Sequence, residues 1–103
     1  VRIYVSGPYS SDPVAGTRTA MQATAALMDM GHAPLCPHWT LFQDLAYPRP
    51  YEDWLRIDLA WVEVADAVLR LPGQSSGADR EVARAEHIGI PVYYSIGDIP
   101  CPS

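Results

Sequence analysis

Glu81 follows a run of small residues, Ser75-Ser76-Gly77-Ala78, that joins a strand-like segment to a helix start. Backbone N–H groups at such a start can hold an anion, and small residues let a ligand approach closely. A carboxylate beside them is placed for nucleophilic or acid–base work. Its plainer reading is a solvated first-turn residue, favoured by the helix dipole and by Arg84 three positions on. Asp58 is the second candidate. Trp54 at i−4 and Trp61 at i+3 share its helix face. A carboxylate between two indoles is partly desolvated, which raises its pKa and suits it to acid work. The plainer reading is an aspartate bonded to a loop backbone or an indole N–H. Two carboxylates meet the needs of N-glycosidic cleavage. One traps or stabilises the sugar carbon at an oxocarbenium-like transition state, while the other protonates the leaving base.

The elements that must position these groups follow from pattern. Arg2 to Val5 is β-rich and stops at the Ser6-Gly7-Pro8 turn. Asp12-Pro13 caps a helix over residues 13–30, with Val14, Thr17, Met21, Thr24, Ala25 and Met28 on its apolar stripe and Gly31 as its stop. His32 to Leu35 is a short second strand. Residues 36–50 read as an irregular, proline-rich loop of the length that usually carries function. A helix over 51–64 opens with Glu52 and Asp53, where the dipole favours them. Residues 66–71 form a buried strand, and a helix over 76–88 buries Ala78, Val82 and Ala85 before Gly89. Ile90 to Tyr94 is the fourth strand.

The β-α-β-α-β-α-β order predicts one α/β domain over residues 1–103, a doubly wound, Rossmann/flavodoxin-like parallel sheet of four or five strands with helices on both faces. Ligands of such folds sit beyond the C-terminal ends of the strands. That edge gathers Gly7 and Tyr9, then His38 and Trp39, then Ser75, Ser76, Gly77 and Glu81. Tyr9, His38 and Trp39 are candidates to stack on a base. Ser75 and Ser76 are good N-caps and alternative phosphate donors, helped by Ser10, Ser11 and Arg18. Tyr4 is a core strand residue or, if aimed toward Glu81, an orienting hydroxyl.

Composition narrows the partners. The chain has 103 residues, 49% hydrophobic and 18% charged, with a formal net charge of −5. That excludes a nucleic-acid polymer as the expected partner, since such binders need a basic surface, but not a small nucleotide. No apolar run approaches a membrane span, and the start lacks a signal-peptide pattern. Cys36 and Cys101 read as free thiols of a cytoplasmic protein. His32, His38 and His87 lack zinc spacing, and no metal or organic cofactor is implied.

At these residues the chain resembles the nucleoside 2-deoxyribosyltransferase-like superfamily. The match runs through Ile3-Tyr4-Val5-Ser6-Gly7-Pro8-Tyr9, Arg56-Ile57-Asp58-Leu59, Ala65-Asp66-Ala67-Val68, Leu71-Pro72-Gly73 and Ser75 to Ala85. The resemblance implies exchange of bases on deoxyribose, or hydrolysis of nucleoside 5′-monophosphates. It makes Glu81 the nucleophile, Asp58 the aspartate that helps the base depart, Tyr4 the tyrosine near the nucleophile and Ser75 a phosphate-binding serine. It also implies a homo-oligomer, a dimer or larger. Departures fall on the phosphate side. Pro8 stands where the hydrolases have a second serine, Ser10 where they have an arginine, and Asp79 and Arg80 occupy usually uncharged positions. The expectation is therefore cleavage of a nucleoside or its 5′-monophosphate. The alternatives are base exchange and, from a different class, a non-catalytic nucleotide-binding module; a purely structural oligomer is the third.

Overall fold

The structure is a computed structural model that describes residues 1–8 and 12–101. Four strands, β1 (Arg2–Ser6), β2 (Ala33–Leu35), β3 (Ala67–Arg70) and β4 (Val92–Tyr93), form one parallel sheet in the order β2-β1-β3-β4. Four helices accompany them: α1 (Pro13–Asp29), α2 (Thr40–Ala46), α3 (Tyr51–Val62) and α4 (Ser76–Ile88). The chain order reverses between β1 and β3, and the crevice above that point is where such sheets hold ligands.

Side chains alternate between the two faces of a strand. Ile3 and Val5 of β1 pack with Ala67 and Leu69 of β3 against Ala20, Ala23 and Leu27 of α1. Ile99, from the C-terminal segment, joins this layer, and a His32 Nε2 contact of 3.1 Å to the Pro100 carbonyl ties that segment down. Tyr4 and Val68 face the other way, onto Val62 of α3 and Ala85 of α4. The sheet is therefore covered on both faces. Ser6 and Arg70 are register partners one step beyond Tyr4 and Val68, so they face the α3/α4 side above the core.

Local chemistry sets the helix ends. Asp12 accepts from the Ala15 N–H at 3.1 Å, with Pro13 in the first turn. Ser75 does the same for Ala78 at 3.1 Å. Gly89, at φ 82°, closes α4 in the left-handed conformation that glycine adopts without strain.

Four expectations are corrected. The stripe of α1 is rotated: Thr17, Ala20, Ala23, Thr24 and Leu27 are buried, whereas Val14 (76%), Met21 (54%) and Met28 (63%) are exposed, as is Ala25. Small alanine and threonine side chains let the helix lie close to the sheet, where methionines would hold it off. The 36–50 segment is not wholly irregular, since a 3-10 turn at Pro37–Trp39 runs into α2. This helix has no buried residue, so it carried no amphipathic signal. In α4, Val82 is only partly buried, and Glu81 takes a buried place beside Ala78 and Ala85. The fourth strand is shorter than residues 90–94, pairing only at Val92 and Tyr93.

Candidate active site

Glu81 is buried, 6% exposed, and both its oxygens are held. The Tyr4 hydroxyl donates to Oε2 at 2.9 Å and the Ser6 hydroxyl to Oε1 at 2.7 Å. Tyr4 and Ser6 are two residues apart on β1, so their side chains emerge on the same face. Burial pushes the Glu81 carboxyl above its ordinary value, opposed by the hydrogen bonds from Ser6 and Tyr4 and by the positive charge of Arg70. Burial, with Glu81 and Asp58 nearby, raises the Tyr4 hydroxyl far out of the titrating range, so it is a fixed donor.

Glu81 and Asp58 line the same cavity of about 700 Å³, within the range of small-molecule sites. Burial and then the Glu81 charge push the Asp58 carboxyl up to about 7. Trp54 lines the cavity one helical turn from Asp58, but its indole N–H donates to Asp44 at 2.7 Å, not to Asp58. Trp61 is half exposed and outside the lining, so one indole, not two, flanks Asp58 in the cavity.

Gly7, His38, Ser75, Ser76 and Gly77 also line this space. Gly7 admits no side chain, because a Cβ there would lie 2.9 Å from Leu71 Cβ. His38 is buried and its Nε2–H donates to the Pro8 carbonyl at 3.1 Å. Burial lowers its pKa, so it meets the cavity as a neutral ring. The Ser75 hydroxyl is committed to capping α4.

Two expected contributors lie elsewhere. Trp39 is 53% exposed and does not line the cavity, although Pro37, His38 and Thr40 around it do; the tight 3-10 turn sends its side chain outward. Arg18 is exposed on α1 and is also outside the lining. Its neighbour Thr17 takes the buried position on that turn. Tyr9, Ser10 and Ser11 lie outside the described residues.

The charges around Glu81 also differ from expectation. Arg84 pairs with Glu63, not Glu81. Asp79 bonds to Arg70 at 3.2 Å and faces a second cavity on the other side of α4, so its charge does not enter the Glu81 cavity. Arg80 pairs with the exposed Glu52.

Sequence reasoning missed Ser6, Arg70, Asp44 and Tyr51. Ser6 had a usable signal, since it is i+2 from Tyr4 on one strand. Arg70 had one too, being a lone charge closing an apolar strand. Its guanidinium donates to the carbonyls of Leu71 and Gly73, the latter at 2.8 Å. Asp44 sits on the unforeseen α2. Among the described residues no group of three or more His, Cys, Asp or Glu side chains is gathered as a metal ion would require, and no described helix is long and apolar enough to cross a membrane. Cys36 is buried, Cys101 is exposed, and both are free.

A parallel sheet in this order, covered by helices on both faces, is a doubly wound α/β architecture, and solved structures share this fold. One is a 2-deoxyribosyltransferase from the psychrotolerant bacterium Bacillus psychrosaccharolyticus, with TM-score 0.66, 19% identity, and coverage of 93% of this chain and 76% of that one. The other is the 2-deoxyribosyltransferase from Leishmania mexicana, with TM-score 0.67, 18% identity, and coverage of 88% of this chain and 61% of that one. The chain belongs to the family described as "Domain of unknown function (DUF7768)", whose model matches residues 1–95. No curated protein matches its sequence.

Proposed function

We propose that this protein cleaves the N-glycosidic bond of a nucleoside. The observation that carries the reading is Glu81: a buried carboxylate fixed by Tyr4 and Ser6 and lining one cavity with Asp58, whose pKa is about 7. In the first step a Glu81 oxygen forms a bond to the sugar C1′ as the C1′–N bond breaks. The bonding pair leaves with the base, and protonated Asp58 gives its proton to the departing nitrogen. In the second step Asp58, now a carboxylate, takes a proton from water. The water oxygen bonds to C1′, and the C1′–O bond to Glu81 breaks. Atoms and charge balance, and no cofactor enters.

The fold supports a second reading, in which a free base replaces water in the second step. The two structural neighbours are named 2-deoxyribosyltransferases, and the first step would be the same.

The cavity's charge bears on the 5′-phosphate. Among its described lining residues Asp44, Asp58 and Glu81 are acidic, and Arg49 is the one guanidinium. That balance disfavours a dianionic phosphate, so unphosphorylated nucleosides are the expected substrates.

The test is a panel of ribo- and deoxynucleosides with their monophosphates, with free base followed by chromatography. A parallel set containing a foreign free base reports exchange. Base release by wild type that disappears in Glu81→Gln supports the reading. Absence of release and exchange across the whole panel would leave a nucleotide-binding module in its place.

A further inference from the structure

We propose that Asp44 selects the leaving base, favouring one with an amino group on the edge remote from the sugar, as in adenine or cytosine, over its oxo counterpart, hypoxanthine or uracil. The inference rests on the nucleoside reading above.

Glu81 must reach the sugar C1′, so the sugar lies at the cavity floor beside Tyr4 and Ser6. Asp58, Trp54 and Tyr51 are successive i−4 and i−3 steps along α3, on one face, and all three line the cavity. Helices of a parallel α/β sheet run opposite to its strands, so the N-terminal end of α3 lies toward the open edge. The three residues therefore lead outward from the floor. A base leaving past Asp58 extends along Trp54, and its far edge meets whatever lies one turn beyond Asp58.

Asp44 lies there. Its Oδ1 accepts from the Trp54 indole N–H at 2.7 Å and from the Arg49 backbone N–H at 3.1 Å. Its Oδ2 accepts from no described residue. The Arg49 guanidinium is turned to Asp53 at 3.5 Å and does not compete for it. Asp44 lines the cavity, so this carboxylate has one oxygen spent on fixing its orientation and one left to face a ligand. A carboxylate is purely an acceptor. It attracts an amino N–H and repels a carbonyl oxygen. A site built to bond a donor discriminates strongly against an analogue that lacks it, because a partly buried polar group is left unpaired.

The plainer role is structural: Asp44 staples the α2–α3 loop to Trp54. Asp44→Asn separates the two. An asparagine keeps a carbonyl oxygen for both N–H donors and presents an NH2 where Oδ2 stood. A staple would then be nearly preserved, and any loss would fall equally on all bases. A selector would lose its preference for the amino bases.

The experiment measures kcat/KM for the adenine–hypoxanthine and cytosine–uracil nucleoside pairs, in wild type and Asp44→Asn. Comparing the same pair in both proteins cancels differences in leaving ability. Wild type is expected to favour the amino member by tenfold or more. The variant is expected to cut that ratio by at least about tenfold. An unchanged ratio, or a wild-type preference for the oxo bases, overturns the proposal. Affinities of the same pairs for Glu81→Gln, read by tryptophan fluorescence, keep it distinguishable from the catalytic reading. Amino-selective binding that depends on Asp44, without base release by wild type, would sink the catalysis and keep the selector. Base release with no amino preference in rate or binding would sink the selector alone. Failure of every nucleoside to bind would sink both.

Discussion

The Tyr4 hydroxyl and Glu81 Oε2 meet at 2.9 Å across 77 positions of sequence, joining the central strand to the first turns of α4. The bond is charge-assisted when Glu81 is ionised, so it favours the carboxylate over the acid. Tyr4→Phe keeps the ring in its fully buried place and deletes only this donor. A bond to a charged group contributes about 1.5–3 kcal/mol, so kcat/KM should fall about 10- to 100-fold. The sign on pH is fixed. Without the donor the Glu81 pKa rises further, so the acid limb of the pH–rate profile moves to higher pH. A drop in rate with an unmoved acid limb would mean that Tyr4 does not act through the Glu81 charge.

The parts of this arrangement differ in how plainly the sequence displays them. The order of elements is legible because caps and stops are local chemistry: Asp12-Pro13, Ser75 and Gly89 sit where short-range hydrogen bonds and φ preferences put them. Asp58 stands out as a carboxylate sharing a helix face with two tryptophans, and Glu81 as one that follows a run of small residues at a helix start. Beyond Thr17 and Thr24, the inner stripe of α1 was not legible, because alanines are buried while Met21 and Met28 stay exposed. Hydrophobicity ranks those the other way, and only the close approach of helix to sheet explains it. Nor was α2, whose lack of a buried residue removes the periodicity that reveals helices, and with it the place of Asp44 in the cavity. The direction of Trp39 and the partners of Arg70 depend on contacts between elements that no local pattern encodes.

Asp58 sets the alkaline side of the chemistry. Its carboxyl is raised to about 7 by burial and by the Glu81 charge, and it must be protonated to release the base. Activity should therefore decline above about pH 7, and the Glu81 ionisation, also raised, sets the acid side. The two groups interact, so the measured values belong to the pair. Asp58→Asn should remove the alkaline limb and lower kcat by about 10²–10⁴. The stability sign is opposite to that of a salt-bridged aspartate. Because the folded value lies above the unfolded one, Asp58 favours the fold only while protonated, and this is lost as pH rises from about 4 through about 7. Asp58→Asn should therefore raise Tm at pH 8 and change it little at pH 4. The difference corresponds to at most about 4 kcal/mol. Equal Tm changes at both pH values would contradict the raised pKa.

Arg70 ties the end of β3 to the loop that leads into Glu81. Its guanidinium is 9% exposed and reaches the Leu71 and Gly73 carbonyls and Asp79. Arg70→Met leaves the two carbonyls unpaired and removes a positive charge that holds the Glu81 pKa down. The cost should be about 1–3 kcal/mol, visible as a Tm loss of several degrees. The acid limb should move upward, in the direction of Tyr4→Phe. Arg70→Lys restores charge but not the planar fork, so it should recover the acid limb more than the Tm. Recovery of Tm without the acid limb would show that Arg70 acts through packing alone.

Gly77 and Tyr51 both line the cavity and lie against each other. A Cβ on Gly77 would stand 2.7 Å from the Tyr51 hydroxyl, the far end of a half-exposed side chain. The backbone of α4 has no objection to Gly77→Ala, since alanine is the better helix former by about 1 kcal/mol. Stability should hold or rise slightly. The methyl should displace the Tyr51 ring into the space a nucleoside enters, so KM should rise several-fold while kcat changes less. Tyr51→Phe in the same protein removes the oxygen that the methyl meets. It should therefore recover much of the loss, and the two substitutions should be non-additive, as expected for neighbours in contact. Additive effects, or a Gly77→Ala defect confined to kcat, would place the constraint somewhere other than this contact. A Tm loss in Gly77→Ala would mean that the clash falls on α4 itself and not on the movable ring.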